Sequence, residues 1–531
     1  MPSDCISFRD TNYFSNLICD YLDKREDLKL FYNIFPNIDS FKLQIEEKSK
    51  NYKPSNRQIL YNAIKQQYSE NSQCEETTLN IEALKEDNTF TITTGHQLNL
   101  FSGPLYFLYK IISTINLTSE LKHRYPDYNF VPVYWMATED HDFDEINYFN
   151  FEGKKIQWNR ESSGGVGRFN TEGLDKVFEV FSSQLDNSKN ADTIRALFKK
   201  VYLNHNNLAD ATRCFANELF GELGLVIIDA DDKSLKHLFA PYVKNELLEH
   251  KSQKFVEQTN SNLNKLDYRV QVNPREINLF YLKENIRERI IKKDNRFIVN
   301  DTDIKWTESE ILKELETHPE RFSPNVIMRP LYQEVILPNL CYIGGGGELA
   351  YWLQLKSYFN SEDVTFPILL LRNSVLIITS KQKDKLKKLG LSFKDIFQKQ
   401  STLINNQVKL LSKINIDFSE QKNHLKNQFK DLHEVAKQTD QSFLGAVSAQ
   451  ERKQIKGLEH LEKRLLKAQK RKLKGDIDRI TELQNQLFPL QSLQERNTNF
   501  SEFYLEYGEQ LIQQLVLNLQ PLKSEFLILE L

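Results

Sequence analysis

The stretch from Thr89 to Asn150 constrains the fold more than any other part of this 531-residue chain. It opens with a short β-rich run that stops at Gly95 and continues through a polar turn into apolar residues at helical spacing. It closes with a second apolar run, from Phe130 to Ala137. A strand, a turn, a helix and a second strand make a βαβ unit, in which the strands pair in parallel by default. The pattern therefore predicts an α/β fold with a parallel sheet.

A polar cluster follows each of the two predicted strands. The clusters are Gly95-His96-Gln97 after the first strand and Glu139-Asp140-His141-Asp142 after the second. In open α/β sheets, ligands bind outside the carboxyl ends of the strands. The two clusters are therefore the strongest local indication of an active site in the sequence.

The first cluster lies where a strand turns into a helix. Backbone N–H groups at such a turn suit a phosphate or a carboxylate, so Gly95 and Gln97 are candidate binding residues, together with Gly103 before Pro104. His96 could donate a hydrogen bond to an oxygen on which negative charge builds during group transfer. The simpler interpretation is a helix-capping turn with a surface histidine.

The second cluster carries more chemistry. A carboxylate beside a histidine orients and tunes a general base, which makes Asp140, His141 and Asp142 candidate catalytic residues and Glu139 a candidate binding residue. Carboxylates also hold magnesium on nucleotides, and a zinc site would need a third ligand from elsewhere. We assign no metal. The simpler interpretation is a solvated acidic loop that caps the next element.

Three further features of the later sequence are candidate binding elements. A glycine-rich turn would let the backbone approach a ligand at a helix start, although it could equally be a hinge, and it matches neither nucleotide-binding glycine motif. Arg329 and Gln333 are one helical turn apart and could clamp a carboxylate. Arg372 interrupts two apolar runs, so it must be paired or functional. The residues of the glycine-rich turn are Gly344, Gly345, Gly346, Gly347 and Glu348.

Composition excludes several classes of partner and compartment. The net charge of −3 gives no global electrostatic reason to expect nucleic acid. No apolar stretch approaches the roughly 20 residues that span a bilayer, and no secretory signal is visible at the start. The 5 cysteines are scattered without a CxxC pair. We therefore expect a cytoplasmic protein with neither nucleic-acid nor membrane partners.

The order of patterns along the chain predicts six segments. A shift towards Lys, Gln, Leu and Glu after Lys381, with apolar residues at heptad-like spacing, indicates two long helices joined between Asp440 and Ser448, near Gly445. Such a hairpin would join two copies of the chain as a homodimer. The segments are 1–88, helical and packed on the core; 89–150, the first half of the core; 151–320, an inserted region; 321–380, the second half of the core; 381–487, the coiled-coil hairpin; and 488–531, a C-terminal segment.

Several longer motifs, in consistent order over most of the chain, carry a resemblance to a known family. They are TTGHQLNLFSGPLYFLYKIIS, VPVYWMATEDHDFDEIN, GLVIIDADD, QVNPRE, PERFSPNVIMRPLYQE, YIGGGGELAYW and the closing LFP…QERN. With them the chain resembles the bacillithiol biosynthesis cysteine-adding enzymes. The resemblance implies a Rossmann-like core similar to class I cysteinyl-tRNA synthetases, with connecting-peptide insertions and a coiled-coil dimerisation arm. It also implies addition of cysteine to glucosaminyl-malate.

The resemblance bears on cofactors as well. Gly95-His96-Gln97 stands where class I synthetases carry their His-x-Gly-His signature, but nothing matches their lysine-rich second signature. The cofactor therefore stays open, with ATP or another nucleotide as candidates. Two hypotheses follow. In the first, a ligase, Asp140, His141 and Asp142 position and deprotonate the attacking amine. In the second, a non-catalytic coiled-coil scaffold only binds a nucleotide or a thiol.

Overall fold

The computed structural model of the protein describes residues 4–68 and 74–531. The described chain forms two compact units. Of the described residues, the larger unit contains 4–9, 13–68, 74–376 and 494–529, and the smaller unit contains 10–12, 377–493 and 530–531.

The strands alternate with helices through most of the larger unit. In chain order the strands are β1 (Asp4–Ile6), β2 (Thr89–His96), β3 (Asn129–Met136), β4 (Tyr148–Phe151), β5 (Lys154–Gln157), β6 (Val226–Asp229), β7 (Leu279–Lys283), β8 (Ile286–Lys293), β9 (Arg296–Val299), β10 (Lys305–Trp306), β11 (Phe322–Pro324), β12 (Asn339–Gly344), β13 (Ile368–Leu371), β14 (Val375–Ile378) and β15 (Phe526–Glu530).

The α-helices fall into an amino-terminal group, a group around the sheets and a carboxyl-terminal group. They are α1 (Phe8–Thr11), α2 (Asn16–Leu22), α3 (Phe41–Asn51), α4 (Pro54–Gln67), α5 (Glu75–Ala83), α6 (Tyr106–Arg124), α7 (Phe143–Ile146), α8 (Leu174–Ser182), α9 (Lys189–Phe198), α10 (Leu208–Phe220), α11 (Lys233–Glu249), α12 (Lys251–Lys265), α13 (Glu308–Thr317), α14 (Met328–Ile336), α15 (Gly346–Trp352), α16 (Lys356–Ser361), α17 (Ser380–Lys388), α18 (Phe393–Ile396), α19 (Gln400–Leu411), α20 (Ser419–Ala436), α21 (Gln441–Lys472), α22 (Lys474–Leu487), α23 (Gln494–Asn497), α24 (Phe500–Tyr507) and α25 (Gln510–Asn518).

The core of the larger unit is a five-stranded sheet with the order β13-β12-β2-β3-β6. All four strand pairs in it are parallel, and β2 pairs with β3 from Thr89–Asn129 to His96–Met136. The chain fills the β3 and β6 side first and then returns to the other side of β2. The strand order therefore reverses between β2 and β12, which is where doubly wound sheets bind ligands.

This sheet confirms the predicted parallel α/β core and corrects one part of its construction. The two predicted halves do share one sheet, because β12 pairs directly with β2. The prediction that residues 151–320 are only an insertion is wrong, since β6 (Val226–Asp229) from that region is an edge strand of the core sheet. The apolar run Val226–Ile228 had the length of a buried strand, but a run alone does not say which sheet it joins.

Burial explains why the central strand is rich in threonine. Every residue of β2 is buried, as expected for an inner strand of a parallel sheet with both faces covered. Its hydroxyls find partners across the sheet: Thr93 donates to Asn339 Oδ1 (2.8 Å) and Thr94 donates to the Ile343 carbonyl (2.7 Å). Around them lies an apolar cluster from α3, α6 and the strands. Its buried members are Phe41, Ile45, Phe90, Ile92, Leu117, Leu121, Phe130, Leu340, Cys341, Ile343, Ile368 and Leu370.

A second sheet in the larger unit comes from the predicted insertion. Its strands follow the order β10-β9-β8-β7-β11, and every pair is antiparallel. The chain ends also pair, because β1 lies antiparallel to β15 with Cys5 opposite Leu527. The closing run FLILEL is thus a strand, as its alternation of branched apolar residues suggests.

The smaller unit consists mainly of helices, with α20 and α21 packed as a hairpin around Phe429, Ala436 and Val447. The turn lies earlier than predicted. Asp440 caps α21 by accepting the Phe443 N–H at 2.8 Å, so Gly445 lies inside the helix. The helix begins after Asp440 because the Asp440 side chain accepts a hydrogen bond from a backbone N–H that would otherwise be unpaired. Gly445 does not interrupt the helix.

In the part of the chain that the structure describes, no helix combines the length and the apolar character needed to cross a bilayer.

Candidate active site at the carboxyl edge of the sheet

The reversal point between β2 and β12 holds a buried charge cluster. Lys110 of α6 is 3 % exposed, and its Nζ lies 2.6 Å from the Gly95 carbonyl and 2.6 Å from Glu348 Oε2. Tyr342 donates to the other Glu348 oxygen at 2.7 Å. Burial raises the pKa of Glu348, but Lys110 outweighs it and holds that pKa below its usual range. The two halves of the core thus meet through ionised groups.

Arg329 lies beside this cluster without a carboxylate of its own. Its guanidinium donates to Gln333 Oε1 (3.0 Å) and to the Tyr351 hydroxyl (3.3 Å). Among residues 4–68 and 74–531, no carboxylate oxygen lies within 4.0 Å of it. Three aromatic rings surround the guanidinium carbon at 5.5–5.9 Å, namely Trp135, Tyr342 and Trp352. A half-buried arginine held in place this way is preorganised for an anionic group of a ligand.

The predicted clamp is therefore Arg329 alone. Gln333 is fully buried, and its amide is already hydrogen-bonded within the protein, because its Nε2 donates to Glu334 at 3.0 Å. Gly95 allows the close packing here, since a Cβ at this position would lie 3.1 Å from the Tyr342 hydroxyl and 3.8 Å from Arg329.

The glycine-rich turn, predicted as a ligand-binding element or a hinge, is partly occupied by its own side chains and backbone. The Gly345 N–H, at the start of α15, donates to the helix's own Glu348 at 2.8 Å. A Cβ on Gly344 would clash with Leu349 and Tyr342 at 2.9 Å, and Gly346 packs against Ile18. Gly347 is the open glycine of the turn. Gly344 and Gly346 therefore serve packing, and the Gly345 N–H is already bonded within the helix.

The β3 end forms a second cluster around Asp140. Gln97 donates to Asp140 Oδ2, and the His141 N–H donates to Oδ1 at 2.7 Å. Arg287, from β8 of the second sheet, lies 3.8 Å from Oδ1. Burial raises the pKa of Asp140, but hydrogen bonds from His141 and Gln97, together with the charge of Arg287, keep it below its usual range. Asp140 is therefore a permanent anion, suited to orientation and poor as a base.

The other two acidic positions of the predicted cluster differ from Asp140. Glu139 forms a buried ion pair with Lys236 at 2.7 Å, and Lys236 also donates to the Phe322 carbonyl. Through Lys236, Glu139 thus links the segment after β3 to β11, and the ion pair neutralises its charge. Asp142 is exposed just before α7 and makes no side-chain cap there.

His96 ends β2 and is buried, not on the surface as a capping turn would place it. It is 6 % exposed and packs against the rings of Tyr106 (5.3 Å) and Phe107 (5.1 Å). Burial, reinforced by the charges of Lys110 and Arg372, lowers its pKa well below the usual range, so the ring is neutral. Its Nε2 is buried without a protein partner within the described part of the chain.

Arg372 follows β13 and is paired. Two of its nitrogens contact Glu495, at 2.7 and 3.2 Å, and the side chain is 4 % exposed. Its backbone N–H donates to the Gly344 carbonyl at 2.9 Å, and its guanidinium carbon lies 5.0 Å from the centre of the Tyr106 ring. Of the two predicted roles for Arg372, the structure supports pairing.

An open cavity of about 320 Å³ adjoins the Asp140 cluster and the ring that covers His96. Gln97 belongs to its wall and to the Asp140 cluster, while Tyr106 belongs to its wall and covers His96. Gly103 is required in this wall because its φ is +60° and a Cβ would lie 2.7 Å from Asn99. The lining residues are Gln97, Asn99, Gly103, Pro104, Tyr106, Glu145, Tyr148, Phe149, Asn150, Arg496 and Asn497.

Two charged residues of this wall were not predicted. Burial and the charges of Asp142 and Asp140 raise the pKa of Glu145. Arg496 is exposed and has no carboxylate within 4.0 Å in the described residues. The cavity thus offers one base and one free cation, alongside carboxamides and aromatic rings.

The buried ion pair of Lys110 was not predicted either, although the position of this lysine in the sequence indicates a buried charge. A lysine inside the otherwise apolar helical run FLYKII needs a buried partner, because an unpaired charge there is costly. Arg287 and Arg496 offered no such signal, since neither stands out from the neighbouring charged residues.

The β4–β5 hairpin, which lines the cavity, is hydrogen-bonded to α23 and α24. The Glu152 N–H donates to Glu502 at 2.9 Å, and Asn150 donates to the Asn497 carbonyl at 3.1 Å. Burial raises the pKa of Glu502 to about 7. Near pH 7 the folded protein therefore holds the Glu502 carboxyl partly protonated.

We expect this carboxyl to make stability fall as the pH rises. Its folded-state pKa lies above the unfolded value of about 4.3, so the stabilisation is complete below that value and is lost as the pH rises through 7. The full loss should not exceed about 4 kcal/mol. Thermal melts at about pH 5 and about pH 8 should show this loss in the wild type and not in Glu502→Gln. Glu506→Gln, an exposed change on the same helix, should melt like the wild type at both values, and equal losses in all three proteins would contradict the assignment.

Comparisons with known proteins cover the whole chain. Residues 1–373 match the family described as "Bacillithiol biosynthesis BshC, N-terminal Rossmann-like domain", and residues 375–531 match "Bacillithiol biosynthesis BshC, C-terminal coiled-coil domain". A solved structure titled as a putative arginyl-tRNA synthetase from Campylobacter jejuni aligns with 83 % of this chain and 98 % of its own, at 10 % identity and a TM-score of 0.23. That likeness is too weak to support a statement about the fold.

Curated relatives agree with the family match. A protein of Flavobacterium johnsoniae is 60 % identical over 529 residues, covering 100 % of both chains. One from Christiangramia forsetii is 59 % identical over 533 residues, covering 100 % of this chain and 99 % of its own. One from Bacillus cereus is 26 % identical over 509 residues, covering 93 % and 94 %. All three carry the name "Putative cysteine ligase BshC".

The motif resemblance, the Rossmann-like core and the coiled-coil region are thereby confirmed. Both family matches, and two relatives near 60 % identity over the full length, point the same way. This chain belongs to the BshC family of bacillithiol biosynthesis proteins.

Proposed function

We propose that this protein is a ligase that joins the carboxyl group of cysteine to the amine of glucosaminyl-malate. The observation that carries the proposal is the full-length similarity to relatives named cysteine ligases. The carboxyl edge of the sheet supports it, because Glu145, whose pKa is raised, and the exposed Arg496 line an open cavity there. Gln97 belongs to the same wall and donates to the Asp140 carboxylate.

The chemistry requires an activated acyl group. The amine nitrogen attacks the carbonyl carbon of cysteine, the activating group leaves with the electrons of its bond, and the nitrogen loses a proton. Glu145 lies in the cavity wall with a raised pKa, so it can take that proton.

Arg329 is assigned to an anionic group of the substrate. Arg329→Gln should lower kcat/KM by about 10- to 150-fold, the range that follows from losing a charge-assisted hydrogen bond of about 1.5–3 kcal/mol. Arg329→Lys should recover part of the loss, since lysine keeps the positive charge but lacks the planar guanidinium that can donate two parallel hydrogen bonds. The control is Arg124→Gln, at the far end of α6, where the arginine is exposed and paired with Asp39. Full activity of Arg329→Gln would remove this residue from binding.

A deletion strain separates an enzyme from a scaffold. Without the gene, we expect the cysteine-containing thiol to disappear and glucosaminyl-malate to accumulate. The wild-type protein should restore the thiol, whereas stably expressed Arg329→Gln should restore it poorly. Equal rescue by both proteins would favour the scaffold.

We also propose a homodimer formed through the smaller unit. Helices α20 and α21 leave apolar side chains exposed, including Leu432 (48 %), Val435 (56 %), Phe443 (49 %) and Leu461 (52 %). Such a stripe on a hairpin is typical of a coiled-coil interface. The triple change Leu432→Glu, Phe443→Glu and Leu461→Glu should halve the mass measured by light scattering. Leu517→Glu, an exposed leucine of α25, should not, and a triple variant that stays dimeric would place the interface elsewhere.

A further inference from the structure

Arg287 reaches the site from a different sheet than the other residues of the Asp140 cluster. It lies on β8, is 9 % exposed, and its guanidinium carbon sits 4.1 Å from the centre of the Phe280 ring. The His141 ring packs against the same Phe280 at 5.6 Å. The aromatic ring therefore supports both side chains and sets their relative position.

The contact between Arg287 and His141 fixes where the imidazole proton lies. Arg287 Nη1 donates to His141 Nδ1 at 2.5 Å. A guanidinium has five N–H donors, no acceptor, and stays protonated in proteins. Nδ1 must therefore present its lone pair to Arg287. The alternative, an Nδ1–H donated to Asp140 Oδ1, has a longer separation of 3.4 Å and would direct a hydrogen towards the guanidinium.

The remaining nitrogen then carries the proton. In a neutral imidazole one nitrogen is a donor and the other an acceptor, so an acceptor at Nδ1 requires Nε2–H. The side chain is 52 % exposed, which leaves this donor available to a ligand. His141 in this state can donate a hydrogen bond but cannot take a proton at Nε2, unlike the base predicted from the sequence.

We propose that Arg287 is a positioning residue that holds His141 in the Nε2–H tautomer, so that His141 donates to the substrate oxygen on which negative charge builds. In the proposed ligase reaction, on which this role rests, that oxygen is the carbonyl oxygen of the cysteine acyl group. As the amine attacks, the oxygen gains charge, and a donor already in place stabilises it without reorganisation.

A purely structural role explains Arg287 less well. Its Nε is buried without a hydrogen-bond partner, and its carboxylate neighbour Asp140 lies at 3.8 Å. Burying a cation this way is costly, and an apolar side chain could cover Phe280 at lower cost. The contact that needs a guanidinium is the one to His141 Nδ1.

The test reads the tautomer directly in the ligand-free protein, independently of any activity. With ¹⁵N-labelled histidine, and His141→Gln to identify the signal, the wild type should show a protonated Nε2 and an unprotonated Nδ1. Arg287→Met should move the proton to Nδ1, because Asp140 is then the nearest acceptor. Arg287→Lys should keep the wild-type tautomer, and Arg296→Met, an exposed change on the neighbouring strand, should leave the signal unchanged.

Kinetics supply the second readout. Arg287→Met should lower kcat by about 10- to 100-fold with a smaller change in KM, and Arg287→Lys should restore most of the loss. A wild-type protein with the proton on Nδ1 would overturn the proposal, as would an unchanged tautomer in Arg287→Met. If the tautomer behaves as expected but no variant of the protein forms an amide, the proposed ligase reaction fails while the assignment of the His141 tautomer stands.

Discussion

Replacing His141 with alanine should lower the turnover of the ligase by about 10²–10³-fold, the usual cost of losing one donor to a developing oxyanion. The fold should not change, because the side chain is half exposed and lies past the end of β3. We therefore expect the unfolding free energy to stay within about 1 kcal/mol of the wild-type value. Product assays and thermal melts on the same preparation measure both quantities.

Two further variants sharpen this experiment. His141→Gln can still donate an N–H and should retain more turnover than His141→Ala. Asp142→Asn changes an exposed neighbour and should lower the turnover only slightly if the hydrogen bond donated by His141 matters most. A stable His141→Ala protein with full turnover would remove the residue from the mechanism.

Replacing Arg372 with methionine should destabilise the larger unit by about 3–5 kcal/mol, because it leaves Glu495 buried without its partner. The Glu495 side chain is 1 % exposed, and its oxygens also accept from the Val375 N–H and the Ser374 hydroxyl. Denaturant unfolding of the two proteins measures the difference.

The double variant Arg372→Met, Glu495→Gln provides the control. Removing both charges should lower the free energy of unfolding by less than the sum of the two single changes. Arg124→Met breaks the exposed pair with Asp39 and should cost at most about 1 kcal/mol. If Arg372→Met cost no more than Arg124→Met, the buried pair would not hold this region together.

The sequence predicted the centre of the fold because its signals are local and strong. The runs that became β2, β3 and β12 each end in glycine or charged residues, and strand ends of a parallel sheet meet at one edge. That is why Gln97 and Asp140 were predicted as site residues, whereas Arg329 was predicted from its helical spacing with Gln333. The role of β6 was missed because pairing between distant strands leaves no local trace.

Pairing also distinguishes predicted site residues whose charge is neutralised by a buried partner from those that keep their charge. From the sequence, Glu139 and Asp140 look equivalent, yet Lys236 neutralises the first and Gln97 orients the second. Lys236 and Arg287 lie roughly 100 and 150 residues further along the chain, on elements that only the folded protein brings together. A sequence pattern cannot show which of two adjacent carboxylates is already paired.

The most direct test of the central claim is an assay for the amide product with purified protein, glucosaminyl-malate and cysteine. Mass spectrometry would follow three reactions: cysteine alone, cysteine with ATP, and cysteine methyl ester as an acyl donor that is already activated. We predict that the wild type forms the amide in at least one reaction and that Arg329→Gln and His141→Ala form it far more slowly in the same one. No amide above the protein-free rate in any reaction, or equal rates in all three proteins, would contradict the claim.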